Sequence, residues 1–188
     1  MFGKASIIFF FLVSCVGAQT LSFLGEDIAF YLNGKSFTVD GYYWFSNPSG
    51  RGTQATVFYP IACKMGPVDS IVVADMSHSR YGEIVDSGSA GFSFRLDVGG
   101  GDTVVYHIAY RQRVSGDSAA YILRSTLTWN KPLEWAEYKL VVDSSLIVTR
   151  CSYDPDKVYT IADRTIYYWK RIRFMPDKDM VFHLRRTR

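Results

Sequence analysis

From Phe92 to Val98 apolar and polar side chains alternate without a break, with Phe92, Phe94, Leu96 and Val98 set against Ser93, Arg95 and Asp97. Successive side chains of a strand point to opposite faces, so a period of two describes a strand with one dry face and one wet face. The pattern recurs along most of the chain. Glu26 to Leu32 sets Ile28, Phe30 and Leu32 against Asp27, Ala29 and Tyr31, and Ser36 to Phe45 carries Phe37, Val39, Tyr43 and Phe45 on one side. Between them, Asn33-Gly34 is the pair that a tight two-residue hairpin turn prefers. Further strands are predicted at Thr53 to Tyr59, Ser70 to Asp75, Glu83 to Asp86, Thr103 to Arg111, Ala119 to Thr128, Trp135 to Val142, Leu146 to Arg150, Thr165 to Phe174 and Met180 to Leu184. Gly99-Gly100-Gly101-Asp102 reads as a hairpin turn, and Asn47 to Gly52, rich in Pro, Ser and Gly, as a loop.

Helical periodicity is hard to find. Many short strands, hairpin-length turns and no amphipathic helix predict an all-β fold, an antiparallel two-sheet β-sandwich, with a related β-barrel as the alternative. No linker or internal repeat divides the chain, so residues 20–188 are expected to form a single domain. The 188 residues are 48% apolar and 16% aromatic, enough to fill a core, which excludes extended disorder. A net charge of +3 does not call for a nucleic-acid partner. No apolar run reaches the roughly 18 residues a transmembrane helix needs.

The start of the chain reads as an address. Met1 to Lys4 is short and basic, Ala5 to Val13 is apolar, and small residues follow, which is the layout of a signal peptide over residues 1–18. Val16-Gly17-Ala18 suits simple cleavage after Ala18. Leu12-Val13-Ser14-Cys15 also resembles a lipobox, in which Cys15 is acylated and becomes a lipid anchor. Both outcomes imply export to the periplasm, the cell envelope or the medium, and leave Cys63 and Cys151. In an oxidising compartment these two form a candidate disulfide, the alternative being two separate buried thiols.

Candidate chemistry is sparse. His78, His107 and His183 are far apart, and the Asp75-Met76-Ser77-His78-Ser79 turn gathers triad residue types without the spatial separation that triads use. Nucleophile-elbow, zinc-protease and Cys/His cluster spacings are missing, so no catalytic residue, metal site or cofactor is predicted. Gly99-Gly100-Gly101 lacks the Lys-Ser/Thr of a phosphate loop and runs into strand formers. The least ordinary segment runs from Trp169 to Arg188, with seven Lys and Arg against Asp177 and Asp179. If Thr165 to Phe174 is a strand, Tyr167, Trp169, Arg171 and Arg173 share one face. Basic and aromatic side chains together can pair with anions and stack on sugar faces. Tyr42, Trp44, Tyr167, Trp169, Arg171 and Arg173 therefore form the candidate binding set, against the alternative of a charged strand face that keeps an edge soluble. Trp129 and Trp135 flank a proline-containing bend and are expected to close one end of the sandwich, or to offer a sugar platform.

Gly25-Glu26-Asp27-Ile28, Trp129-x-x-Pro132-Leu133 and Phe174-x-Pro176-x-x-Asp179-Met180 are similar to segments of uncharacterised exported bacterial all-β proteins. The resemblance covers a small part of the chain. It implies an envelope protein with a β-sandwich and transfers no activity. The expected function is a non-enzymatic accessory or assembly component acting through protein contacts. Second comes a carbohydrate-binding module for an envelope polysaccharide, and third a hydrolase with a site assembled across loops.

Overall fold

The computed structural model describes residues 21–63 and 65–187. The leader, with Cys15 and both cleavage chemistries, lies outside the described residues. The strands are β1 (Ser22–Leu32), β2 (Ser36–Ser46), β3 (Thr53–Pro60), β4 (Val68–Asp75), β5 (Arg80–Tyr81), β6 (Ile84–Gly88), β7 (Gly91–Val98), β8 (Thr103–Arg113), β9 (Ser118–Tyr121), β10 (Leu133–Asp143), β11 (Leu146–Cys151), β12 (Lys157–Ile161), β13 (Arg164–Phe174) and β14 (Met180–Arg186). One 3-10 helix, Arg124–Trp129, stands between β9 and β10.

The fold is an all-β sandwich. One layer is an eight-stranded sheet in the order β12-β13-β10-β1-β2-β8-β4-β5, open at both edges and so not a barrel. The other layer is two three-stranded sheets, β11-β14-β9 and β3-β7-β6, rather than one continuous sheet. Both pack on the same face of the large sheet. Phe182 of β14 meets Phe30 at 5.6 Å and Trp169 at 6.0 Å, while Phe94 of β7 meets Tyr106 at 5.5 Å. Burying rings of this size removes a large apolar area from water, and their tilted and offset geometries are those that aromatic quadrupoles prefer.

The alternation read from Phe92 to Val98 is exact in the structure: the four apolar residues are buried and the three polar ones lie at intermediate exposure. Four expectations change. The large sheet is mixed, because β1 and β10 run parallel; a parallel neighbour needs a long crossover, and here everything from β2 through the 3-10 helix serves as one. The β1-β2 hairpin forms, but Leu32 pairs with Phe37, so the loop is longer than two residues. It is held by Asn33, whose Oδ1 accepts from Lys35 N and Ser36 N at 2.9 and 2.8 Å. Gly99–Asp102 is no hairpin: it carries the chain from β7 in one layer to β8 in the other. There, Gly101, at φ +77°, donates its N–H to the carbonyls of Asn47 and Ser49. The strand predicted to reach Thr128 stops at Tyr121 and gives way to the 3-10 helix, closed by Asn130 in the left-handed region.

Candidate functional site

In β1 the residues Glu26, Ile28, Phe30 and Leu32 face the second layer, which leaves Asp27, Ala29 and Tyr31 on the outer face of the large sheet. Register carries this face sideways. Asp27 pairs with Tyr42 of β2 and Glu137 of β10, and Tyr42 pairs with His107 of β8. One step along, Gly25 stands between Trp44 and Trp135. A β-bulge between Phe23 and Gly25 sits at this place.

Trp135 lies down over Gly25, where an added Cβ would be 2.6 Å from the indole Cε2. Trp44 meets Trp135 edge to face at 4.6 Å, Tyr42 lies 6.4 Å from Trp44, and the His107 ring is 5.0 Å from Tyr42. Tyr42 is 40% exposed. His107 Nε2 hydrogen-bonds Asp40 Oδ1 at 2.7 Å. Glu137 accepts from Lys170 Nζ at 2.6 Å and Tyr168 Oη at 2.9 Å, and these two bonds hold its carboxyl below the usual range. Partial burial, then the Glu137 charge, pushes the Asp27 carboxyl up. The outer face thus carries a group of four rings, Tyr42 exposed and Trp44, His107 and Trp135 half-buried, bordered by Asp27, Asp40 and Glu137.

The structure divides the six candidate binding residues. Tyr42 and Trp44 are on the outer face, whereas Tyr167, Trp169 and Arg171 are on the inner one, because Trp169 pairs with the inward-facing Tyr138. The shared face expected for Tyr167, Trp169, Arg171 and Arg173 holds for the first three only, and it points into the sandwich. Trp169 is fully buried and its Nε1 donates to Tyr153 O at 3.0 Å. Arg171 Nη1 reaches both carboxylate oxygens of Asp156 at 2.9 and 2.7 Å. Arg173 is exposed with a left-handed backbone, φ +50°. The two tryptophans of the bend also part: Trp129 packs on Phe23 and Phe45 at 5.9 and 5.6 Å, while Trp135 belongs to the outer group. Cys63 and Cys151 are both free, so the candidate disulfide is absent.

The inner face holds a polar group that sequence reasoning missed. Tyr138 Oη donates to Glu26 Oε1 at 2.5 Å and Tyr121 Oη to Oε2 at 3.2 Å. Tyr121 and Tyr43 hydroxyls are 3.3 Å apart, and Tyr43 and Tyr59 hydroxyls 2.6 Å. Burial pushes the Glu26 carboxyl up to about 7 against the pull of its two tyrosine partners. The signal was present in the sequence: Glu26 has the parity of Ile28 and Phe30.

Two histidines meet carboxylates, His78 Nδ1 with Asp75 at 2.8 Å and His107 with Asp40. In the first, Ser77 Oγ is engaged by Val105 N at 2.9 Å, and the turn is tied by His78 N to Asp75 Oδ1. The second lies on an open sheet. A small cleft of about 230 Å³ at the end of the sandwich, lined by Asn33, Val114, Asp117, Leu146, Leu184 and Arg186 among others, contains neither histidine. Among the described residues no three His, Cys, Asp or Glu side chains are grouped to hold a metal.

No family model and no curated protein matches the chain. Solved structures do. A protein from Legionella pneumophila that carries the provisional name nutrient binding protein matches with a TM-score of 0.71 at 11% identity, over 88% of this chain and 67% of that one. An M1 zinc metallopeptidase from Deinococcus radiodurans matches with a TM-score of 0.55 at 10% identity, over 87% of this chain. This chain spans 42% of the length of that peptidase. At these identities the likeness is one of fold.

Proposed function

We propose that the protein is an exported, non-enzymatic accessory or assembly component that works through contacts made by the outer face of its eight-stranded sheet. The observation that carries this reading is the aromatic group of Tyr42, Trp44, Trp135 and His107, on a face that no other layer of the described residues covers. Exposed aromatic clusters rimmed by charge are characteristic of contact surfaces. The binding role in the Legionella neighbour's name belongs to the same class of function, and the peptidase likeness supports a fold that also serves within a longer protein.

A photo-crosslinking residue at position 42 tests the proposal in the producing cell. A discrete crosslinked protein from position 42, and none from position 93 on the small β3-β7-β6 sheet, supports it. Equal or absent crosslinking at the two positions overturns it. Trp135, laid over Gly25 beside Trp44, favours a second reading, a polysaccharide stacked on the same rings. On a glycan array that reading requires binding that disappears in Tyr42→Ala and Trp135→Ala.

A further inference from the structure

Every sheet edge offers unpaired backbone donors and acceptors, and proteins guard such edges by shortness, bulges, proline, charge or cover. Five edges here are guarded. β5 is two residues long, β3 ends in Pro60, and β6 is bulged between Ile84 and Asp86 with the Asp86 charge at its centre. β11 is bulged between Val148 and Arg150, and the Ala120 N–H of β9 is covered by Met65 Sδ at 3.4 Å.

β12 has none of these guards. It pairs with β13 in unbroken register, contains no proline, and carries one charge, at its first residue. Val158, Tyr159 and Ile161 are 53%, 43% and 59% exposed. Its backbone pattern follows from the hairpin. Ile161 and Arg164 pair directly across the two-residue turn Ala162-Asp163, with Ala162 at φ +53°. A pair that closes such a turn exchanges both of its hydrogen bonds, and bonding alternates from there. Lys157, Tyr159 and Ile161 therefore bond to β13, while Val158 and Thr160 turn their N–H and C=O groups to the free edge.

That pattern is self-complementary. We infer that β12 pairs antiparallel with β12 of a second copy of this chain about a two-fold axis at Tyr159, joining two large sheets into one. In this register Val158 stands opposite Thr160 of the second copy, so all outward donors and acceptors of the four residues are satisfied. Tyr159 faces its own copy at a non-hydrogen-bonded position, where side chains are closest. Lys157 stands opposite Ile161 and diagonal to Asp163 of the second copy, within reach of a long side chain. Within one chain neither Lys157 nor Asp163 has an ion-pair partner among the described residues, so the two-fold gives each an opposite charge. The contact is separate from the outer aromatic group and stands independently of the contact function proposed for it.

Sedimentation of the exported protein over a range of concentrations tests the inference. The native chain is expected to form a reversible dimer. Thr160→Pro removes only an outward donor and leaves the β12-β13 bonds intact, and Tyr159→Lys places two like charges on the axis. Each is expected to weaken the dimer by about tenfold or more, with the far-ultraviolet spectrum unchanged. Register is read separately in a chain with Cys63→Ser and Cys151→Ser. Tyr159→Cys should oxidise to a covalent dimer, whereas Lys157→Cys, roughly 13 Å from its copy in this register, should not. A native chain that stays monomeric, a dimer indifferent to both substitutions, or equal crosslinking at 157 and 159 would overturn the inference.

Discussion

Tyr138 donates its hydroxyl hydrogen to Glu26 Oε1 at 2.5 Å, with both side chains sealed between the layers of the sandwich. Desolvation outweighs that bond and the one from Tyr121, and pushes the carboxyl up from the ordinary 4.5 to about 7. As pH rises from about 4.5, the unfolded chain releases this proton before the folded one does. Glu26 therefore removes stability through that window, on the order of 3 kcal/mol by pH 8. Glu26→Gln keeps an acceptor for Tyr138 and has no charge to bury. Urea unfolding at pH 5 and pH 8 is expected to show the variant more stable than the native chain at pH 8, with the difference small at pH 5. A native advantage that grows with pH would refute this account.

Gly25 is required by Trp135. A Cβ at position 25 would stand 2.6 Å from the indole Cε2 and 2.7 Å from the Trp135 carbonyl oxygen. The first contact can be relieved by a side chain and the second cannot, because it belongs to the backbone of the parallel neighbour β10. Gly25→Ala should cost about 1 to 3 kcal/mol by overpacking. The double variant Gly25→Ala, Trp135→Ala should remain less stable than Trp135→Ala alone. Recovery to the level of Trp135→Ala would show that the indole, and not the sheet backbone, is the obstacle.

Trp169 and Tyr42, paired in one binding set by sequence, should separate cleanly. Trp169→Ala empties a fully buried site and removes the donor to Tyr153 O, with a loss of about 3 to 5 kcal/mol. Tyr42→Ala removes a ring that is 40% exposed and should change stability by less than about 1 kcal/mol while weakening partner or glycan binding at the outer face. Thermal unfolding of both variants checks the contrast.

Much of the fold was legible because period-two patterning is a local property. Phe37, Val39, Tyr43 and Phe45 were assigned to one side of β2 and all are buried. Parity, however, says which residues share a face and not which face is covered. Tyr167, Trp169 and Arg171 do share one, and the choice between inside and outside depended on pairing with Tyr138, 31 positions away from Trp169. The parallel β1-β10 pair and the passage of β7 and β8 into different layers are likewise set by distant contacts. β12 escaped notice because its five residues are all exposed and show no wet and dry alternation.

The two thiols offer a direct check on the sequence reading of Cys63 and Cys151. Both are free, with Cys63 exposed in the loop after β3 and Cys151 at the end of β11. Cys63 Sγ makes one weak contact, to the Ile61 carbonyl at 3.5 Å. Burial, followed by the nearby Asp154 charge, pushes the Cys151 thiol up to about 11, so little of it is thiolate near neutral pH. Titration of the native protein with a disulfide reagent at pH 8 should modify Cys63 quickly and Cys151 slowly, and Cys151 should become fast only on unfolding. Intact mass before and after reduction should show no internal bond between them. A mass increase of two hydrogens on reduction, or equal rates at the two positions, would restore the bridge and require the loop after β3 to move toward the end of β11.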